Sequence, residues 1–191
     1  MKLFGYYRSS ASYRIRIILN IKELDYEYVP VALDKGEQFE AAHSARNPMG
    51  LVPVLETDGA QLAESVAIAE YLEALHPEPA LLPKDEIDRA RVREMQHIIS
   101  SGTQPVTNLR VMKYVVEKYG EAPADWVNYW MARGFAAFEE RASARSTNGR
   151  FPVSSSNKGP NSAQIDSVFL GPPPMLNASP FTASICLIAR S

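Results

Sequence analysis

Apolar and polar positions along the first 77 residues change period several times, and each change marks an element. Residues 2–6 form a short apolar run that predicts a strand. After Ser9-Ser10, which read as a helix start, Tyr13, Ile17, Ile18 and Ile21 recur at helical spacing and predict an amphipathic helix. Residues 26–31 are rich in β-branched and aromatic side chains and predict a second strand. Strand, helix, strand implies a parallel pair joined by a right-handed crossover. A polar stretch with a short helix over residues 37–43 follows, then a turn at Asn47-Pro48-Met49-Gly50 and a strand over 52–57. Asp58-Gly59 predicts a hairpin turn. After Gln61-Leu62, a helix starting at Glu64-Ser65 carries Ile68, Leu72 and Leu75 on one face. The order is therefore βαβ, helix, ββα.

His76-Pro77-Glu78-Pro79 and Leu81-Leu82-Pro83 form a proline-bearing linker, semi-rigid by composition, which places a domain boundary near residue 80. Beyond it the period is helical. Asp85 is an N-cap for a long helix bearing Ile87, Met95, Ile98 and Ile99, interrupted around Gly102 and Pro105 and resuming through Val111, Val115 and Val116. From about Pro123 a further helix shows Val127, Trp130, Met131, Gly134, Phe135 and Phe138 along one core-facing stripe.

Composition sharpens this division. The chain has 191 residues, 20 basic against 22 acidic, for a net charge of −2, with 46% hydrophobic and 22% charged residues. That balance is globular and argues against an electrostatic grip on nucleic acid or on an anionic membrane. Its apolar runs fall short of the roughly 18 residues that a membrane span needs. The single cysteine, Cys186, excludes an internal disulfide and a cysteine-based metal site. With an N-terminus lacking the apolar stretch of a signal peptide, a cytoplasmic location is the expectation. His43, His76 and His97 are scattered without metal-ligand spacing and read as surface or cap residues. The charge is unevenly spread: only Arg150, Lys158, Asp166 and Arg190 lie in the last 42 positions, which hold 6 of the 14 prolines and eight serines. Residues 150–191 therefore read as an atypical, disordered tail that builds little helix or core.

Five segments carry a resemblance. They are the run from Ser9 to Ile17 (SSASYRIRI), Asn47-Pro48-Met49-Gly50-Leu51-Val52-Pro53-Val54-Leu55, Glu64-Ser65-Val66-Ala67-Ile68, Leu81-Leu82-Pro83, and the run from Gln104 to Val111 (QPVTNLRV). In this order and spacing residues 1 to about 149 closely resemble the zeta class of glutathione transferases. The resemblance implies an α/β thioredoxin-like glutathione-binding domain over residues 1–80, followed by an all-α C-terminal domain over 85–149 that is incomplete here. It also implies glutathione as cofactor and a homodimer if the helical domain forms. The implied reaction is glutathione-dependent cis–trans isomerisation of maleylacetoacetate to fumarylacetoacetate in tyrosine and phenylalanine breakdown, with a transferase side activity. Isomerisation of maleylpyruvate is one alternative, and an inactive glutathione-binding product is another.

An enzyme of this kind must keep a thiol as its thiolate, the reactive form. A hydroxyl at a helix N-terminus stabilises that anion through a hydrogen bond and the helix's partial positive charge. Ser9 is the expected activating residue, with Ser10 and Arg14 in the same catalytic motif; the alternative is that both serines simply cap the helix. By resemblance, Ser9, Ser10, Ala11, Ser12, Tyr13 and Arg14 belong to the glutathione-binding set. Val52-Pro53 matches the place where thioredoxin-like domains carry a cis proline, with the Val52 backbone available to pair with the cysteinyl backbone of glutathione. The plain alternative is a strand start. Ser65 suits the γ-glutamyl carboxylate and Glu64 its ammonium, or the two form an ordinary helix cap. Gln38 matches a residue at the glycyl end. Gln104 and Asn108 match positions near glutathione and a dimer interface, or else satisfy backbone groups at the break around Pro105. Arg8 and Arg110 are the candidates for contacts with substrate carboxylates, the alternative being solvated surface charges.

The match departs from the class in places. The class commonly has Cys where Ala11 stands, Trp or His where Tyr13 stands, and Gln where Glu64 stands. After residue 150 the class continues with a Gly-Asp turn, a capping box and a buried Ala/Leu-rich helix, all missing from this sequence. A shifted reading frame or similar truncation near residue 150 is the expected origin, leaving Trp126, Trp130, Phe135 and Phe138 with less surface to bury.

Overall fold

A computed structural model of the chain describes residues 1–120 and 124–143. Pro123, Cys186 and the reading of residues 150–191 as an atypical tail lie outside the described residues. The described chain divides into two compact units, the first Met1–Leu81 and the second beginning at Leu82.

The first unit runs β1 (Lys2–Gly5), α1 (Ser10–Ile21), β2 (Glu27–Pro30), a single 3₁₀ turn (Glu37–Phe39), α2 (Ala41–Ser44), β3 (Val54–Thr57), β4 (Ala60–Ala63) and α3 (Ser65–Leu75). The sheet order is β2-β1-β3-β4. β1 is parallel to β2 and antiparallel to β3, and β3 and β4 form an antiparallel hairpin. Asp58 (φ 48°) and Gly59 (φ 77°) close that hairpin with two left-handed residues, the geometry whose twist matches its strands. A βαβ unit followed by ββα on one mixed sheet is the thioredoxin-like arrangement.

The core lies between sheet and helices: Leu3 and Leu55 from the strands, Ile15, Ile18 and Leu19 from α1, and Ile68, Ala69 and Leu72 from α3. The buried face of α1 is thus rotated from the predicted stripe. Ser12, Ile15, Ile18 and Leu19 are buried, whereas Tyr13, Ile17 and Ile21 are half-buried. The sheet and α3 share the burial of α1, so side chains on two adjoining faces count as interior and a single 3.6-residue stripe does not identify them. Leu75, expected inside, is 51% exposed because it falls in the last turn of α3. The strands are also shorter than predicted: Tyr26 and Val31 fall outside β2, and Val52 and Pro53 fall outside β3.

One buried ion pair ties the end of α1 to the segment after α3. The fully buried Lys22 Nζ lies 2.7 Å from Glu73 Oε2 and donates to the carbonyls of His76 (2.5 Å) and Pro79 (3.1 Å). Glu73 Oε1 in turn accepts from the Leu81 N–H at 2.9 Å. The proline-bearing segment is therefore anchored rather than free.

In the second unit, Asp85 caps α4 (Glu86–His97) by accepting from the Asp88 N–H at 3.0 Å. The expected interruption is present: α4 passes directly into a π-helical stretch, Ile98–Thr103, and residues 104–108, which include Pro105, then turn outside any helix. α5 (Leu109–Tyr119) and α6 (Ala124–Ser143) follow. The predicted α6 stripe is the half-buried one: Val127, Trp130, Met131, Gly134, Phe135 and Phe138 all lie on the packed side. Gly134 sits against the buried Thr103, and Trp126 Nε1 donates to the Val106 carbonyl at 2.8 Å. No residue of α5 or α6 is fully buried, and Ile87, expected in the α4 stripe, is 60% exposed. Among the described residues no helix is long and apolar enough to cross a membrane.

Candidate active site

Strand register brings the chemistry together. Phe4 of β1 pairs with Val54 of β3, Val54 pairs with Ala63 of β4, and Gly5 pairs with Pro30 of β2. The loop after β1 (Tyr6–Ser9), the segment after β2 that leads to Gln38, the residues before β3 (Leu51–Pro53) and the start of α3 (Glu64-Ser65) therefore share one end of the sheet. A shallow depression bounded by Met1, Thr57 and Gly59 lies at the other end and carries none of the expected residues.

Ser9 is the N-cap of α1, its Oγ accepting from the Ser12 N–H at 3.2 Å. That bond uses an oxygen lone pair and leaves the hydroxyl hydrogen able to donate, so capping and donation to an anion are compatible. Ser9 and Ser10 are half-buried. Ser12 is different. It is fully buried, with its Oγ 3.4 Å from the Tyr6 N–H and packed beneath Gly5, so its hydroxyl serves the loop from within. Ala11 and Tyr13 are half-buried on α1, Tyr13 with the Arg16 guanidinium 4.9 Å from its ring centre, and Arg8 is exposed in the loop.

Arg14 reaches from α1 to the N-terminus of α3, where Nη1 donates to Ser65 Oγ at 2.6 Å. Burial holds its pKa below the ordinary arginine value, because removal of water disfavours the cation. A guanidinium nevertheless remains charged in proteins. The cation and the unpaired N–H groups of α3 together make this corner favourable to a carboxylate. Glu64 is exposed, makes no capping hydrogen bond and has φ 67°, a left-handed conformation that costs a residue with a Cβ of order 1–3 kcal/mol. The alternative of a side-chain cap at Glu64 is thereby removed.

The Val52-Pro53 peptide is cis. Gln38 is buried in the 3₁₀ turn, its Nε2 at 3.5 Å from the Leu33 carbonyl and its Oε1 without a hydrogen-bond partner among the described residues. Gln104, Asn108 and Arg110 belong to the second unit. Gln104 follows the π-helical stretch, its N–H bonded to the Ile99 carbonyl at 2.8 Å. Asn108 caps α5 by accepting from the Arg110 N–H at 3.1 Å, and Arg110 is exposed.

Two residues of this end escaped sequence reasoning. His43, expected at the surface, is 4% exposed, and its Nε2 lies 3.0 Å from the Leu51 carbonyl. Asn47, noted only as part of a turn, donates from Nδ2 to the same carbonyl at 2.9 Å. The polar run around His43 conceals its burial, which arises because α2 folds back over the turn. Among the described residues no group of three or more His, Cys, Asp or Glu side chains is placed to hold a metal ion.

Residues 3–80 match the family model for the glutathione S-transferase N-terminal domain. The chain is 45% identical over 141 residues to glutathione S-transferase Z1 of Arabidopsis thaliana, covering 73% of this chain and 64% of that protein. It is 43% identical over 153 residues to maleylacetoacetate isomerase of Rattus norvegicus, covering 79% and 68%. Among solved structures, a zeta-class bacterial maleylpyruvate isomerase superposes with a TM-score of 0.74 at 39% identity, covering 78% of this chain and 71% of that one. Maleylacetoacetate isomerase from Anaeromyxobacter dehalogenans, with glutathione bound in its active site, gives 0.66 at 48% identity, covering 75% and 68%. The chain belongs to the zeta-class glutathione transferase family. It spans just under two thirds of the length of several curated relatives that it matches.

Proposed function

We propose that the chain is a glutathione-dependent cis–trans isomerase acting on maleylacetoacetate, with residues 1–80 as the glutathione-binding domain and 85–149 as part of the helical one. The observation that carries this reading is the shared end of the sheet, where a serine-capped helix start faces the same side as a second helix start bearing Arg14 on Ser65. The residues suit a tripeptide with two carboxylates, an ammonium and a thiol. Arg14, Ser65 and the free N–H groups of α3 would hold the γ-glutamyl carboxylate, the exposed Glu64 carboxylate the ammonium, and the unpartnered Gln38 Oε1 a donor at the glycyl end.

Glutathione, when bound, supplies a thiolate whose reversible addition to the conjugated cis double bond permits rotation about it. Ser9 donates its hydroxyl hydrogen to the sulfur while α1's N-terminus favours the anion, which keeps the thiol ionised near neutral pH. Arg8 and Arg110 are the cations proposed for the substrate's carboxylates, placing fixed charge where charge develops. Ser10 is a proposed second hydroxyl at the helix start, Ala11, Ser12 and Tyr13 are proposed members of the glutathione-binding set, and Gln104 and Asn108 are proposed contributors from the helical unit. A cytoplasmic homodimer is the proposed setting.

The test is turnover of maleylacetoacetate by the 191-residue chain with glutathione, beside the Ser9→Ala variant. Loss of activity in Ser9→Ala with binding of glutathione retained is the expected result. A wild-type chain that neither binds glutathione nor turns over substrate overturns the proposal. The superposition on a maleylpyruvate isomerase favours a second reading, maleylpyruvate as substrate, and a faster rate on that compound would establish it over the first. Retention on immobilised glutathione without turnover of either compound would mark a binding-only product.

A further inference from the structure

The Leu51 carbonyl is gripped from two directions. Asn47 Nδ2 donates to it at 2.9 Å and His43 Nε2 meets it at 3.0 Å. A carbonyl only accepts, so His43 is the tautomer with its hydrogen on Nε2. Nδ1 is then a bare acceptor, buried and without a hydrogen-bond partner among the described residues. A buried unpaired ring nitrogen is unfavourable and calls for a reason.

The peptide plane supplies one. Leu51 C=O and Val52 N–H belong to the same planar unit and point in opposite directions, so fixing the carbonyl fixes the direction of the N–H. Val52 lies outside the strand ladder, and its N–H has no hydrogen-bond acceptor among the described residues. The other side of the clamp is also rigid. Asn47 Oδ1 accepts from the Met49 N–H at 3.0 Å, and the Asn47 carbonyl accepts from the Gly50 N–H at 2.9 Å. Gly50 holds φ 62° with Phe39 against its Cα, so this turn has little room to relax.

We propose that His43, together with Asn47, is a positioning residue that presents the Val52 N–H to the backbone of bound glutathione. This inference rests on the proposed glutathione-binding reading. The side-chain hydrogen bond of the imidazole goes to the Leu51 carbonyl, so it acts on ligand affinity through the peptide plane and not through the sulfur's environment at Ser9. A second donor on a carbonyl already bonded to Asn47 narrows the swing of the plane, and less order is then lost when a ligand strand pairs with it.

The variants are His43→Phe, which keeps a planar ring and removes the donor, and His43→Gln, which restores an N–H. Glutathione binding is measured by calorimetry, amide exchange at Val52 is measured in glutathione-free protein, and kcat and KM are measured separately. For His43→Phe the expected result is a Kd for glutathione raised about threefold to tenfold, the range for loss of one modest hydrogen bond. The Val52 amide exchanges faster, KM for glutathione rises with Kd, and kcat is unchanged. His43→Gln recovers most of the affinity. A merely structural histidine would instead alter global stability without this split, and wild-type affinity in a folded His43→Phe overturns the inference. If wild-type protein itself fails to bind glutathione, the functional reading falls and takes the inference with it, an outcome the wild-type titration identifies by itself.

Discussion

Replacing Lys22 by methionine should destabilise the first unit far more than its position in sequence suggests. Lys22 is the C-cap residue of α1, a place where lysine is ordinarily a solvated charge near the helix's negative end. Here its ammonium is fully buried, 2.7 Å from a Glu73 carboxylate whose side chain is 14% exposed, and it also donates to two carbonyls. Methionine retains the apolar stem. It strands a mostly buried carboxylate and leaves the His76 and Pro79 carbonyls without their donor. Breaking a buried pair by removing one partner costs about 3–5 kcal/mol, and the loss of two carbonyl bonds at about 1 kcal/mol each is already contained in that range.

The readout must come from the right unit. Both tryptophans, Trp126 and Trp130, lie in α6, so tryptophan fluorescence follows the second unit. Native-state amide exchange of Leu3 and Leu55, in the core of the first, is the appropriate measurement. The double variant Lys22→Met/Glu73→Gln should recover part of the loss, since glutamine keeps an acceptor for the Leu81 N–H and removes the stranded charge. Protection of Leu3 and Leu55 reduced by less than about 1 kcal/mol in the single variant would refute the reasoning, because a pair that cheap to break behaves as an exposed one.

Three further outcomes follow from particular contacts. Gly134→Ala would drive a Cβ into Thr103 Oγ1, a buried group bonded to the Ile98 carbonyl, so tryptophan-monitored urea unfolding should show a loss of about 1–3 kcal/mol; an unchanged midpoint would contradict the packing. Glu64→Gly should stabilise the first unit by about 1 kcal/mol by relieving the φ of 67°, while weakening glutathione binding through loss of the carboxylate; calorimetry and amide exchange read the two effects separately. Burial raises the phenol pKa of Tyr26 and of Tyr28 above the ordinary value of 10.0, with Arg16 opposing in both. The folded state then binds more protons than the unfolded one above that value, so stability is fully present below about pH 10 and is lost as pH rises through the folded pKa. Tyr28→Phe should flatten that alkaline loss, and a pH-independent midpoint across this window would contradict it.

The local patterns carried much of this protein on their own. An apolar run marked β1, helical spacing marked the existence of α1 and α3, and a turn signal marked the β3–β4 hairpin, because each is a local feature of the chain. The Asp58-Gly59 turn was legible from chemistry that admits left-handed residues, and the α6 stripe from Val127 to Phe138 was legible because α6 is packed on one side only. The Ser9 cap, the peptide before Pro53 and the helix start after Glu64 were likewise readable, since they are local features.

Tertiary structure decided what those features face. The buried side of α1 moved to Ile15 and Leu19 because a sheet and a second helix share it, and no single-helix period encodes two neighbours. Lys22 and His43 look like solvated or surface residues in sequence, where mean preference governs long or polar side chains, and Arg14 stands out there only through the motif it belongs to. Lys22 and His43 are buried and Arg14 is half-buried, each against a partner far along the chain or across a fold-back: Glu73 for Lys22, Ser65 for Arg14, and the Leu51 carbonyl for His43. A sequence states which groups are available to pair. Which of them lose their water depends on strand register and helix packing, and the low dielectric those contacts create is what turns the same residues into an anchor, an anion corner and a clamp.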